Sequence, residues 1–309
     1  EEREGGKGKA PRVDVGALTS GLADAFPSFG VFDASINVIT SLWPAGGAYN
    51  REPIVRMRGT FETADYGRPT CKFGNWTSSP VVNASGANHR LNATQLTCAK
   101  PRFPDSVRDA VGAYPVSFSP NGQCWPPSTT ASFITYNAQV DAFDLTGAPA
   151  TQSLPLEVRG QGFVQPVLPN AACRFVSHTN GAVIMAALDV LSPTRARCTG
   201  TPAGGVIGTW RLEVLQNGID ADPSLYPLTF TTYDLTSVRV SALDPPGGPV
   251  GMETAVTVRG TGFATYGEVQ LVCRIGGVNV PAVLLDVNRT LCKVPPLAAP
   301  AGVVVTVSL

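Results

Sequence analysis

The sequence predicts an all-β chain of tandem β-sandwich beads, and three observations predict it. The first is a phrase that occurs three times. Val55-Arg56-Met57-Arg58-Gly59-Thr60-Phe61 returns as Leu156-Glu157-Val158-Arg159-Gly160-Gln161-Gly162-Phe163 and again as Val256-Thr257-Val258-Arg259-Gly260-Thr261-Gly262-Phe263. The Arg-Gly pairs begin at 58, 159 and 259, steps of 101 and 100 residues, so a whole domain is repeated rather than a short solenoid turn. The second is composition. The chain has 32 Gly and 27 Pro in 309 residues, scattered rather than clustered, and no long stretch of 3.6-residue periodicity, which leaves little room for helices. The third is a cysteine pair at the same place in each repeat.

Each unit carries its marks in the same order. The opening strand alternates, with Leu156 and Val158 expected to face in and Glu157 and Arg159 out, as Val256 and Val258 do against Thr257 and Arg259. Alternation of this kind is a half-buried strand with one wet face. The glycines after Arg are expected to serve a turn with positive φ. A cysteine follows at Cys71, Cys173 and Cys273, and a second closes each unit ahead of a proline, at Cys98, Cys198 and Cys292. Two alternating strands then end in Asn121-Gly122 and Asn217-Gly218, a dipeptide that signals a hairpin because both residues tolerate positive φ. Aromatic strands leave the units at Phe133–Tyr136 and Phe230–Tyr233.

This order of marks resembles the IPT/TIG family, the immunoglobulin-like domain shared by plexins and some transcription factors. The resemblance runs over roughly residues 33 to 309 and implies tandem immunoglobulin-like sandwiches forming a rod. The first repeat departs from the family's Arg-Gly-x-Gly-Phe by lacking the second glycine. The expected boundaries are 1–32 as the tail of a preceding immunoglobulin-like domain, 33–136, 137–233, and 234–309 as a third domain incomplete at its C-terminal side. The tail is read from Phe29-Gly30-Val31-Phe32, which matches the exit strands. A further Asn-Gly turn and exit strand are expected to follow Leu309. At about 100 residues each unit can bury its own core. Pro245, Pro246 and Pro249 in the second connection should stiffen it, and Trp43 in the first is placed to pack on a preceding bead.

Seven cysteines divide into Cys71–Cys98, Cys173–Cys198 and Cys273–Cys292, with Cys124 left over. No C-x-x-C spacing occurs and there are two histidines, His89 and His178, so no zinc or other metal site is expected. One pair per repeat reads as one disulfide per domain, hence an oxidising, extracellular setting. Each bridge should contribute about 3 kcal/mol. Cys124, beside Trp125 just past the first Asn-Gly, can form an intermolecular bridge, a bridge to another part of the parent chain, or remain a free thiol. Four N-x-[ST] sequons stand at Asn75, Asn83, Asn92 and Asn288, three of them inside the first cysteine loop, so N-linked glycans are expected partners.

An enzyme reading does not assemble. Asp105, Asp109, Asp141, Asp144, Asp220 and Asp222 lie singly or in loops, with no base or carboxylate pair in a recognisable pocket and no cofactor motif. Asp141 and Asp144 sit in the first linker, where a solvated turn is favoured over a calcium site. DNA binding wants a basic stripe, but 23 basic and 23 acidic residues cancel. No signal peptide or transmembrane run is present in the sequence. The expected function is therefore a non-enzymatic structural subunit of an extracellular glycoprotein, a semi-rigid rod in a cell-surface or ciliary filament that associates with other protein chains. The alternative is a receptor or adhesion ectodomain binding a protein partner, as in plexin-like or fibrocystin-like proteins. Of the basic residues 18 are Arg and five Lys, a bias of GC-rich genomes such as those of green algae, whose ciliary mastigonemes are built from large secreted glycoproteins that such arrays resemble.

Overall fold

Alternation decides the layers. In a computed structural model of the chain, residues 29–64, 66–80, 93–101, 111–126, 130–267 and 271–309 are described, and among them the regular elements are strands and single turns of 3-10 helix. The fold is all-β, a series of immunoglobulin-like β-sandwiches.

The first bead contains β1 (Val38–Trp43), β2 (Gly46–Ala48), β3 (Ile54–Thr60), β4 (Thr70–Phe73), β5 (Trp76–Ser78), β6 (Gln95–Ala99), β7 (Gly112–Ser119) and β8 (Ser132–Tyr136). One sheet runs β1-β3-β6 and the other β2-β8-β7-β4-β5. Val55 and Met57 of β3 are fully buried while Arg56 and Arg58 are exposed. The core between the sheets holds Phe73, Phe118 and Phe133, with Phe73 and Phe133 edge-on at 5.7 Å.

The second bead contains β9 (Gln139–Phe143), β10 (Gly147–Pro149), β11 (Leu156–Gln161), β12 (Ala172–Ser177), β13 (Val183–Ser192), β14 (Arg195–Cys198), β15 (Gly208–Leu215) and β16 (Thr229–Tyr233). The long β13 serves both layers, pairing with β12 through its first half and with β14 through its second. Leu156 and Val158 are fully buried beneath Phe175, Trp210 and Phe230. The buried indole N–H of Trp210 donates to Thr232 Oγ1 at 2.9 Å, which meets the requirement that a buried donor be partnered.

The third bead contains β17 (Arg239–Asp244), β18 (Thr254–Thr261), β19 (Val272–Ile275), β20 (Val278–Asp286), β21 (Arg289–Val294) and β22 (Val305–Ser308), in the order β17-β18-β21-β20-β19-β22. Val258, Phe263, Cys273, Ile275 and Cys292 form its core.

Two local expectations are corrected, for the Arg-Gly glycines and the Asn-Gly pairs, while those for Trp43 and Phe29–Phe32 concern a preceding bead outside the described residues. The glycine of each Arg-Gly does not take positive φ. Gly59, Gly160 and Gly260 lie where a Cβ would strike a first-strand carbonyl oxygen (Val38, Gln139, Arg239), beside register shifts that bend the pair. The second glycine takes the left-handed turn, at φ +73° in both Gly162 and Gly262. The first bead does without it and still sends Phe61 into its core, 5% exposed. The Asn-Gly pairs do not close tight hairpins. Asn217 Oδ1 accepts from the N–H groups of Ile219 and Asp220, and Asn121 Oδ1 from those of Gln123 and Cys124. The side chain thus closes an Asx turn that opens a long connection, leaving β15 to meet β16 through its N-terminal half. Trp43 lies on its own bead, with the Arg56 guanidinium 5.3 Å over its ring. Phe29–Phe32 forms no strand. Phe29 and Val31 are exposed and Phe32 rests on Tyr66 at 4.6 Å.

Candidate functional site

The side chains that sequence inspection does not single out gather where one bead meets the next. Both junctions use the same device. A glycine of the short strand ahead of the Arg-Gly strand is covered by a side chain from the loop that follows the next bead's Gly-Phe. At the first junction, Leu168 (5% exposed) and Val164 pack on Ala45, Ala48, Ile134 and Tyr136. A Cβ on Gly46 would stand 2.6 Å from the Ile134 carbonyl oxygen and 2.7 Å from Leu168 Cδ1, so no larger residue fits there without displacement. At the second junction, Tyr266 stacks on Tyr233 at 4.7 Å and 3° and lies over Gly147, where any Cβ would enter its ring. Gly267, at φ +78°, brings its backbone against the Asp144 carbonyl oxygen. The glycines allow the close approach, and the aliphatic or aromatic lid removes apolar surface from water.

The first junction also holds a buried carboxyl. Asp222, in the β15–β16 connection, is 9% exposed, and its Oδ2 is buried with no hydrogen-bond partner among the described residues. Burial pushes its carboxyl up to about 7, against the opposing pull of hydrogen bonds from Gln216 and the charge of Arg51. Tyr136, from the first bead, is raised by its own burial and then by the charges of Asp222 and Asp220, while the Asn217 N–H bonds its hydroxyl. Arg51 approaches Asp220 at 3.7 Å across the junction, a half-exposed pair that contributes little by itself.

A buried lysine holds the first bead's own frame. Lys100 is 0% exposed and donates from Nζ to the carbonyls of Tyr49 at 3.0 Å, Arg51 at 2.9 Å and Pro101 at 3.3 Å. The segment it pins, 49–51, carries the Arg51 that reaches the second bead.

The structure joins Cys71 to Cys98, Cys173 to Cys198 and Cys273 to Cys292, with Cα separations of 6.4, 5.8 and 6.2 Å, and all six residues are fully buried between the sheets. Cys124 is exposed beside Asn121, whose Nδ2 lies 3.6 Å from its sulfur. Asn75 is exposed in the β4–β5 turn and Asn288 in the β20–β21 turn; Asn83 and Asn92 lie outside the described residues. Asp141 accepts from Gln139 and Asp144 from the Glu157 N–H, so each linker acid already serves its own strand. Asp105 and Asp109 lie outside the described residues. Among the described residues no group of three or more His, Cys, Asp or Glu could hold a metal ion, and no helix is long and apolar enough to cross a membrane. An open cleft of about 530 Å³ beside the second junction is lined by Leu145, Pro149, Leu154, Tyr233, Val238 and Val307. Its acid, Asp144, is the one already committed to Glu157.

No curated protein matches the chain. Among solved structures, it is similar to the full extracellular region of plexin A4, at 17% identity over 84% of this chain and 21% of that one, with a TM-score of 0.37. A second plexin A4 structure aligns at 10% identity over 90% and 33%, TM-score 0.38. A 1.5-MDa bacterial ice-binding adhesin aligns at 12% identity over 85% and 88%, TM-score 0.23. The chain thus spans about a fifth to a third of the plexin structures it matches. The IPT/TIG domain family matches residues 239–309. The chain is an array of immunoglobulin-like beads, and its third bead matches the IPT/TIG domain family over residues 239–309.

Proposed function

We propose that this chain is a stretch of an extracellular glycoprotein whose beads act as a non-enzymatic, semi-rigid rod in a cell-surface or ciliary filament or coat. The observation that carries this reading is the repeated junction. Two successive junctions pack a lid side chain against a glycine, with the buried Leu168 on Gly46 and the half-buried Tyr266 on Gly147, and such lids restrict swivelling between beads. A bridge within each bead supports an oxidising compartment. Glycans on Asn75, Asn83, Asn92 and Asn288 and an intermolecular bridge through Cys124 complete the reading, with other copies or a filament protein as partner.

Small-angle scattering tests the rod. Three beads of about 35 Å end to end give a radius of gyration of roughly 30 Å, whereas a compact globule of 309 residues has roughly 19 Å. A value near the lower figure would contradict the rod. Cys124→Ser is expected to abolish covalent multimers seen without reductant in wild type. Multimers that persist in the variant, or a wild type that is monomeric without reductant, would remove the bridge from the account.

The second reading is a receptor or adhesion ectodomain. Leu225 and Tyr226, 58% and 70% exposed beside the first junction, favour it because they offer an apolar anchor pair to a protein partner.

A further inference from the structure

The second and third beads differ at one row of their equivalent sheets. In the second bead Cys198 pairs with Leu188, and the neighbouring outward row across β13, β14 and β11 reads Asp189, Arg197, Glu157. Asp189 and Arg197 form an ion pair at 3.4 Å, and Glu157 is held by Arg195 at 2.6 Å. In the third bead Cys292 pairs with Ala282, and the same row across β20, β21 and β18 reads Val283, Leu291, Thr257. Every charge in the row has gone. Val283 is 60% exposed, Leu285 on the same strand is 48% exposed, and Val287 in the turn that follows it is 64% exposed. An outward strip of three aliphatic residues beside a half-buried Leu291 is a surface that soluble proteins ordinarily cover.

The turn at the end of this strip differs in step. Gly160 N–H donates to the Thr194 carbonyl in the second bead, and Gly260 N–H to the Asn288 carbonyl in the third, so Thr194 and Asn288 occupy the same place. The bead that keeps its charges has no sequon there; the bead that has lost them has Asn288-Arg289-Thr290, with Asn288 exposed. From Asn288 the strip runs back along β20 to Val283, five residues and roughly 17 Å, within reach of a branched core glycan. Pyranose rings present apolar C–H faces, and a glycan is bulky and solubilising.

We infer that an N-linked glycan on Asn288 lies along β20 over Val283, Leu285 and Leu291, and replaces the charges that keep the second bead's equivalent face from associating. The inference rests on the extracellular glycoprotein reading and assigns one of its glycans a site of action. The chemistry sets an order of events. Thr290, whose hydroxyl completes the sequon, is fully buried and donates to the Val283 carbonyl at 3.0 Å, so the sugar is attached before this hairpin closes. Asn288→Gln removes the sequon and leaves that buried hydrogen bond intact, which Thr290→Ala would not.

The test uses the full chain secreted from a eukaryotic host. Glycopeptide mapping is combined with sedimentation velocity and the fluorescence of a hydrophobic dye, for wild type, N288Q, and N288Q carrying Val283→Asp and Leu291→Arg. Folded wild type trimmed by an endoglycosidase to a single sugar serves as a check independent of folding. The expected result is a glycan on Asn288, a several-fold rise in dye fluorescence with concentration-dependent association in N288Q and in trimmed wild type, and reversal of both by the transplanted Asp-Arg pair. An unmodified Asn288 beside an occupied Asn75 would overturn this inference and leave the extracellular reading standing. With no sequon occupied, both would fall. Trimmed wild type and N288Q that match wild type in dye binding and sedimentation would also overturn it. So would fully glycosylated wild type that self-associates and is made monomeric by V283D/L291R, because a second copy would then be the occupant of the strip.

Discussion

Replacing Asp222 by Asn should stabilise the second bead increasingly as pH rises from about 4 to 7, and leave it nearly unchanged at about pH 4 and below. Asp222 is pushed up to about 7 from an ordinary 3.8, chiefly by burial. Facing it are Arg51 and Tyr136 from the first bead and Asp220 and Gln216 from its own loop, and its Oδ2 has no partner among the described residues. Between about pH 4 and pH 7 the unfolded chain has released this proton while the folded chain keeps it. The unfolded state therefore binds fewer protons, and stability falls as pH rises through that window. At 1.36 kcal/mol per unit, the shift of roughly three units sets a ceiling of about 4 kcal/mol. Asn has the same shape and no charge, so the variant should lose the slope. It should gain roughly 2–4 kcal/mol over wild type at pH 8, about half as much at pH 5, and differ by less than about 1 kcal/mol near pH 4. Hydrogen exchange of the β15 amides, corrected for intrinsic rates at each pH, reads the second bead separately, which a global melt of several beads would not. A wild type whose protection is flat from pH 5 to 8 would refute the reasoning. A D222N chain less stable than wild type at pH 8 would do so too, because the carboxylate would then be wanted in its charged form.

Three further outcomes follow from the same geometry. Lys100→Met should destabilise the first bead by about 3 kcal/mol, since the carbonyls of Tyr49, Arg51 and Pro101 lose a buried charged donor; exchange of the β3 amides measures it, and a loss under about 1 kcal/mol would show that the carbonyls find other partners. Leu168→Ala should cost roughly 2–3 kcal/mol in the second bead and raise the spread of first-to-second bead distances measured by spin labels, whereas an unchanged distribution would deny the lid its role. Removing the second bead's bridge with Cys173→Ser and Cys198→Ser should cost about 3 kcal/mol for a loop of 25 residues, read as the shift in urea midpoint of β15 protection; no shift would mean that the bridge adds nothing to the packing around Phe175.

The strand alternation was readable because water enforces it. One face of β11 and β18 is wet and the other dry, and Glu157 with Arg159 against Leu156 with Val158 records this directly. The all-β class and the immunoglobulin-like repeat were readable because the phrase recurs against a changing background. Other features depend on partners distant in sequence. Leu168 looks like any loop leucine until Gly46 and Tyr136 are brought to it. Asp222 reads as a solvated loop acid because the surface that buries it comes partly from another bead. Lys100 carries no mark in the sequence beyond its place ahead of a proline, and it is held by the Tyr49 and Arg51 carbonyls half a bead away. The Asn-Gly pairs misled differently. The dipeptide carried the right turn potential, but Asn217 and Asn121 spend their side chains on the two following N–H groups, so the chain bends without pairing across the turn. A polar side chain that can close its own turn competes with the cross-strand hairpin, and the dipeptide alone does not decide between them.

The central claim is that each bead is a separately stapled sandwich in an oxidising compartment. A non-reducing peptide map of the natural secreted material tests it most directly. The account predicts Cys71 with Cys98, Cys173 with Cys198 and Cys273 with Cys292, each within one bead, and Cys124 outside those pairs. Free thiols at the six positions, or bridges that cross from one bead to another, would contradict it.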